Sequence, residues 1–274
     1  NSYSDDDSDY SSSSANSVHS GAPSMSEIGR KDDSTNAYEA GKSIGSLMSA
    51  YGLNLDLAPV ADVLSGNSTG IGDRTFGTDA QTVSDMALEV IRGIQEEDVN
   101  AAMKYFPGYG AASSNMSGFP VINSSLDELK KKEFLPYSNA IAQGMDFVMV
   151  GHISVPNVTG DDTPASLSEK MISEVLRKDL GFKGIVMTDY LNDKTIVKNY
   201  GAADAAVKAI QAGADLLLEP DDLEAAYEGV LKAVKKGDIT EDRLDESIYR
   251  ILRVKLSMQD ESSDTTESES VSDY

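Results

Sequence analysis

The chain's 274 residues, 40% of them hydrophobic, suffice for one large α/β domain or two ordinary ones with a sizeable core. The formal net charge of -23 is concentrated at the ends: residues 1–20 and 258–274 hold ten carboxylates and no Lys or Arg, leaving 36 acidic against 23 basic side chains, or -13, in between. That balance argues against sequence-independent binding to nucleic acid or anionic lipid, and the absence of cysteine excludes disulfides, thiolate metal sites and a Cys nucleophile.

In chain order, residues 1–22 are Ser- and Asp-rich with few large apolar groups, the composition of a disordered tail. A folded body is expected over 23–256, followed by a second disordered acidic tail over 257–274. Such ends suit linkers of a secreted or surface-attached protein, although a cytoplasmic setting fits the missing cysteines equally well. No signal peptide is legible before the body, as in a mature or trimmed chain, and no run approaches the roughly 18 apolar residues of a membrane span. Nothing in the sequence fixes an oligomeric state.

Five short apolar runs read as strands: "LNLDLAPV" (53–60), "VNAAMKYF" (99–106), "DFVMVGHI" (146–153), "GIVMTDY" (184–190) and "ADLLLEP" (214–220). Between and after them lie stretches of helical spacing. The first places Ala37, Ala40, Ile44, Leu47, Met48 and Tyr51 on one face and closes at Gly52; others cover about 78–97, 126–143, 168–180, 202–212, 221–236 and 240–256. Buried-looking strands alternating with helices mean a parallel sheet covered by helices. No G-x-G-x-x-G follows a strand, so an α/β fold of the (β/α) barrel, TIM type is favoured over a dinucleotide-binding sheet.

In such folds, residues at the C-terminal ends of strands meet in one pocket. They are Asp62, Lys104, His152, Asp189 and Glu219, and each has a plainer reading. Asp189 could cap or hydrogen-bond locally between Thr188 and Tyr190. Lys104, half-buried on a central strand, needs a partner, either a carboxylate or an anionic ligand. Arg74, in "STGIGDRTFGTD", could grip a carboxylate or sugar hydroxyls, or pair with Asp73. Asp161 and Asp162 read as a solvated turn rather than a calcium site. With only two histidines, His19 and His152, and no ligand-spaced cluster, no metal or other cofactor is expected.

The segments "AYEAGKSIG", "LNLDLAPVADV", "IGDRTFGTD", "KYFPGYG", "VMVGHISVPNVTGDDTPASLS", "GIVMTDYLN", "AGADLLLEP" and "DESIYRILRVKL", in this order, resemble the family 3 glycoside hydrolases of the β-N-acetylhexosaminidase type. The resemblance covers about residues 23–256. It implies a (β/α) barrel hydrolase that releases β-linked N-acetylglucosamine from chitin or peptidoglycan fragments with retention of configuration. Asp189 falls on the catalytic nucleophile, and Arg74 and Lys104 on positions that hold the sugar. Tyr105 and His152 are expected to line the same pocket. The chemistry is coherent: an oxocarbenium-like transition state wants an anionic carboxylate beneath it, and sugar hydroxyls want oriented donors.

The departures bear on activity. Family loops read like Lys-His-Phe-Pro-Gly-His-Gly followed by an Asp-x-His acid/base pair; here Tyr105 and Tyr109 replace both loop histidines, and "AASSNMSGF" holds neither Asp nor His. A phenol with a pKa of about 10 is a poor proton donor at neutral pH. The Ser- and Asp-rich start also stands where the family has a first strand and a second ending in carboxylate-Gly-Gly, so about two barrel strands lack a counterpart and the barrel is expected to be incomplete at its N-terminal side. Three readings stay open: a weakly active hydrolase suited to good leaving groups, a non-catalytic glycan-binding pseudoenzyme, and a degraded fragment whose pocket no longer forms.

Overall fold

The computed structural model describes residues 23–65, 71–113 and 118–268. The expected N-terminal tail, 1–22, and residues 269–274 of the expected C-terminal tail, 257–274, lie outside these residues, whereas residues 257–268 of the latter continue a helix. A capping box opens the structure, with Ser24 and Glu27 each bonding the other's backbone amide at the start of α1, Met25–Lys31. α2, Ser34–Ala50, starts on the Asp33 side chain and packs on α3, Ala80–Gln95. The two helices cross with backbones nearly touching. A Cβ on Gly41 would lie 2.2 Å from the Val90 carbonyl oxygen, and one on Gly93 would lie 2.2 Å from that of Tyr38.

Four parallel strands lie in sequence order: β1, Leu55–Asp56; β2, Asn100–Phe106; β3, Phe147–Val150; and β4, Ile185–Thr188. Successive residues serve opposite faces, as strand geometry requires. Val148, Val150 and Val186 join the core beneath the helices, while Phe147, Met149, Ile185 and Met187 join a second cluster on the other face. Burial on both faces explains why these strands read as unbroken apolar runs. Each fully buried side chain of this size contributes about 1.5–3 kcal/mol. On the outer side Phe106 stacks on Phe134 and meets Tyr137 edge-on, with centroids 5.0 and 5.2 Å apart.

Helices follow the strands. α4, Leu126–Lys131, and α5, Leu135–Ala142, precede β3; α6, Pro156–Thr159, and a π-helix, Lys170–Asp179, precede β4. α7, Lys194–Asn199, α8, Gly201–Ala212, α9, Leu223–Lys236, and α10, Glu241–Ser268, complete the described residues. Val254 of α10, flanked by Ile251 and Met258, packs against the inner-face cluster. No described helix is long and apolar enough to cross a membrane.

Three expectations are refined. The helix expected over 126–143 is two, because Pro136 in the first turn of α5 cannot continue a helix from α4. The first strand shrinks to Leu55–Asp56 plus a bridge at Val60, since Pro59 has no amide proton to donate. The fifth run follows the edge of β4 only as the bridge Met187–Leu216. Side chains replace its missing ladder bonds: Asp215 Oδ2 accepts from Val186 N (2.9 Å) and Thr188 Oγ1 from Leu218 N (3.1 Å). Among the described residues nothing pairs with the other edge of β1, so the barrel that they form is open on its N-terminal side, in line with the sequence reading.

Candidate active site

β2 ends in Lys104, Tyr105 and Phe106, where its register with β3 shifts. The peptide bonds Lys104–Tyr105 and Phe106–Pro107 are cis. Lys104 is half-buried, and burial pushes its ammonium below the usual range, against the pull of Asp56 and the weaker pulls of Asp189 and Asp62; Arg74 lowers it further. Its Nζ sits 5.2 Å from the Tyr105 ring centroid. Tyr105 is buried, and its phenol is pushed up to about 12 by burial and then by the Asp189 charge, with Arg74 opposing as a charge and hydrogen-bond partner. Arg74 itself lies exposed in a short 3-10 turn, Nε donating to the Ile71 carbonyl at 3.2 Å. Lys104, Tyr105 and Arg74 are thus brought into one electrostatic neighbourhood.

Asp189 follows β4 directly. Its amide donates to the Val150 carbonyl (2.9 Å), which anchors the turn on β3, and its Oδ1 accepts from Tyr190 N at 2.9 Å. Oδ2 accepts from the Tyr109 hydroxyl at 3.3 Å. The carboxylate is partly exposed and held from both oxygens, so it is presented in a fixed orientation at the sheet's C-terminal end.

His152 is buried behind this group. Nε2 is 2.8 Å from the Tyr190 carbonyl, which can only accept, so Nε2 carries a proton; Nδ1 is 2.7 Å from Ser166 Oγ. Both ring nitrogens being engaged by protein groups, His152 ties the loop after β3 to the loop after β4 and offers a ligand no vacant polar atom. Glu219, exposed at φ 41°, accepts from Asn192 Nδ2 at 3.3 Å at the rim. Asp161 accepts from Thr163 N at 2.9 Å within an exposed turn. The described residues contain no cluster that could hold a metal ion.

Two residues carry more of this architecture than sequence reasoning assigned them. Asp62, expected to open into the pocket, is wholly buried beneath the loop that follows β2; its Oδ1 accepts from Tyr109 N and from Gly110 N (3.1 Å), while Oδ2 has no partner among the described residues. Desolvation raises its pKa to about 7 against the pull of those amides. Tyr109 spans from that anchor to Asp189. Its position at the second loop histidine of the resembled pattern was the available signal. The stretch 111–119, where the acid/base pair would stand, is described only at 111–113 and 118–119; Ser113 pairs with Val121 to fold the loop back.

Comparison with known proteins bears on the family and the fold. Residues 12–254 match the family model for the glycosyl hydrolase family 3 N-terminal domain. The β-hexosaminidase LpqI of Mycobacterium tuberculosis is 31% identical over 242 residues, 85% of this chain and 62% of that protein. A β-hexosaminidase of Neisseria gonorrhoeae is 31% identical over 218 residues, 76% and 60% of the two chains. A solved glycoside hydrolase family 3 β-N-acetylglucosaminidase from Paenibacillus sp. str. FPU-7 superposes with a TM-score of 0.83 at 36% identity, covering 87% of this chain and 46% of that one. The chain therefore spans about three fifths of the length of these curated relatives.

Proposed function

The chain belongs to glycosyl hydrolase family 3, and from that premise we propose that it is a retaining hydrolase of β-linked N-acetylglucosaminides, in chitin or peptidoglycan fragments, confined to substrates with good leaving groups. The observation that carries the reading is Asp189 just after β4, held by Tyr190 N and Tyr109 Oη, with its charge reaching Lys104. The names of the relatives, β-hexosaminidase and β-N-acetylglucosaminidase, supply the sugar.

In this reading an Asp189 oxygen attacks the anomeric carbon, the glycosidic bond breaks, and a glycosyl-enzyme ester forms. Lys104 and Arg74 donate hydrogen bonds to sugar hydroxyls, Tyr105 forms a wall, and His152 keeps the two loops in place. An aryl leaving group departs as a phenolate and needs no proton. An alkyl or sugar leaving group does, and between Lys104 and Asp127 there is no Asp, Glu, His, Lys or Arg to supply it. General acid catalysis contributes about 10² to 10⁴ in rate, and natural glycans would be slowed by that much. Tyr109 does not fill the gap, because burial, followed by the Asp189 charge, raises its phenol well above the ordinary range.

The test is hydrolysis of an aryl N-acetylglucosaminide by the wild type and Asp189→Asn. Release should vanish in the variant; equal rates would eliminate the reading. Because water also attacks the ester without a general base, azide should accelerate the second step by about 10-fold or more and yield the β-glycosyl azide. The same missing acid favours a second reading, a glycan-binding pseudoenzyme built on Arg74 and Lys104. Calorimetry showing binding of N-acetylglucosamine or muropeptides, with no turnover of the aryl substrate, would select it.

A further inference from the structure

The Tyr109 hydroxyl has one proton and sits between two partners whose roles are fixed. The His152 amide can only donate, so the phenol oxygen accepts from it, at 2.9 Å. The phenol proton is then left for Oδ2 of Asp189, which can only accept while ionised, at 3.3 Å. The ring has little freedom to leave this line. It meets Tyr105 edge-on, with centroids 5.3 Å apart and planes at 73°, and its edge lies against Gly151, where a Cβ would stand 3.0 Å from it. The backbone of the same residue is pinned from below by the Asp62 carboxylate. The outcome is a relay of donors, His152 N–H to Tyr109 O–H to Asp189, on a buried frame.

We propose that Tyr109 is a positioning residue for Asp189: its hydroxyl, oriented by the His152 amide, fixes one carboxylate oxygen and favours the ionised form of the group that attacks the sugar. The catalytic meaning rests on the hydrolase reading above; the pairing itself does not. A hydrogen bond to a charged acceptor favours the charged form, so removing it raises the carboxyl's pKa. Among the described residues, Lys104 and Tyr105 on β2 and Tyr109 on the following loop are ionisable groups that feel the Asp189 charge, and Arg74 acts on the same Lys104 and Tyr105. From the loop after β3 it is the His152 amide that faces the relay, the ring being turned to Tyr190 and Ser166, and from the fifth run Glu219 is engaged by Asn192.

The experiment is a pH titration by carboxyl carbon-13 NMR of aspartate-labelled protein without substrate, with the Asp189 resonance assigned from its loss in Asp189→Asn. In Tyr109→Phe, which removes only the oxygen, the Asp189 midpoint should rise by about half a unit or more. kcat/KM for the aryl substrate should fall about 10-fold, its acid limb moving the same way. An unchanged midpoint in a folded variant would overturn the proposal. Should Tyr109→Phe not fold, the wild type alone decides: the His152 amide nitrogen should titrate with the Asp189 midpoint, and an amide indifferent to that titration refutes the relay. A wild type that fails to hydrolyse the aryl substrate would sink the hydrolase reading while the titration still decides the pairing.

Discussion

Asp215 and Asp62 both lose their water, at opposite ends of the sheet, and the surroundings treat them in opposite ways. Asp215, at the start of the fifth run, has a side chain with no exposure and is met by Arg177 at 2.6 Å, Arg250 at 3.0 Å and Arg243 at 3.8 Å, as well as by Ser247 Oγ and Val186 N. Three guanidiniums from the π-helix and α10 converge on it. Asp62, just past the Val60 bridge that follows β1, receives two backbone amides, feels Arg74 only as a weaker charge, and keeps one oxygen unpartnered among the described residues. The first arrangement locks helices to strands at the N-terminal ends of the strands. The second holds a loop at the C-terminal ends while leaving a carboxyl group energetically unsettled. In barrel folds the former end serves stability and the latter serves chemistry, and the two carboxylates follow that division.

The largest effect should come from breaking the Asp215 cluster. Asp215→Ala leaves three part-buried guanidiniums without their shared counter-charge, and removal of one partner from a buried ion network costs about 3–5 kcal/mol. Denaturant unfolding should show that loss, and the candidate site should be impaired only in proportion to the unfolded fraction. A loss below about 1 kcal/mol would mean that the arginines find water or another acceptor, and the contrast with Asp62 would collapse.

Asp62 should produce a smaller change, with a pH signature of its own. Its pKa in the fold is raised to about 7 from 3.8, mainly by desolvation. The folded state then binds the proton more tightly than the unfolded state. Between about pH 4 and 7 the unfolded chain has released a proton that the folded chain retains, so stability falls as pH rises, at up to about 1.4 kcal/mol per unit, and levels off above pH 7. Asp62→Asn keeps an oxygen to accept from Tyr109 N and removes the titration. Its stability relative to wild type should therefore improve by about 3 kcal/mol from pH 4 to pH 8. A difference independent of pH would show that Asp62 stays ionised throughout.

This contrast also explains what could be read from the sequence. The apolar runs 146–153 and 184–190 announced β3 and β4 because both faces of those strands are buried, and Asp189 was legible as the carboxylate ending such a run. The 214–220 run was legible as an element but not in its form: which carbonyl or side chain completes a ladder is decided by Asp215 and Thr188, partners distant in sequence. Asp62 had the same appearance as Asp189, a carboxylate after a strand. Only the path of residues 105–110 over it distinguishes a buried loop anchor from a pocket acid, and nothing local encodes that path. His152 and Tyr109 were visible as residues at the right strand ends, whereas the bonds that occupy the histidine's ring and aim the phenol join segments some 14 to 80 residues apart.

The smallest effect tests whether burial, rather than charge pairing as such, separates the two ends. Arg253 lies on α10 one turn beyond Arg250 and pairs with Asp146 at 2.8 Å, so its geometry rivals that of the buried cluster. Its side chain is 44% exposed against 17% for Arg250, and Asp146 is 35% exposed where Asp215 is closed to solvent. Water and salt screen such a pair, and ordering two long side chains costs entropy that cancels much of the attraction. Arg253→Ala should lower stability by only about 0.2–1 kcal/mol, and raising the salt concentration should shrink the difference further. Denaturant titrations of both proteins at low and high salt measure it. A salt-insensitive loss as large as that of Asp215→Ala would show that α10 depends on this contact with the start of β3 as much as on the Asp215 cluster, and that exposure is a poor guide to where this open barrel is held together.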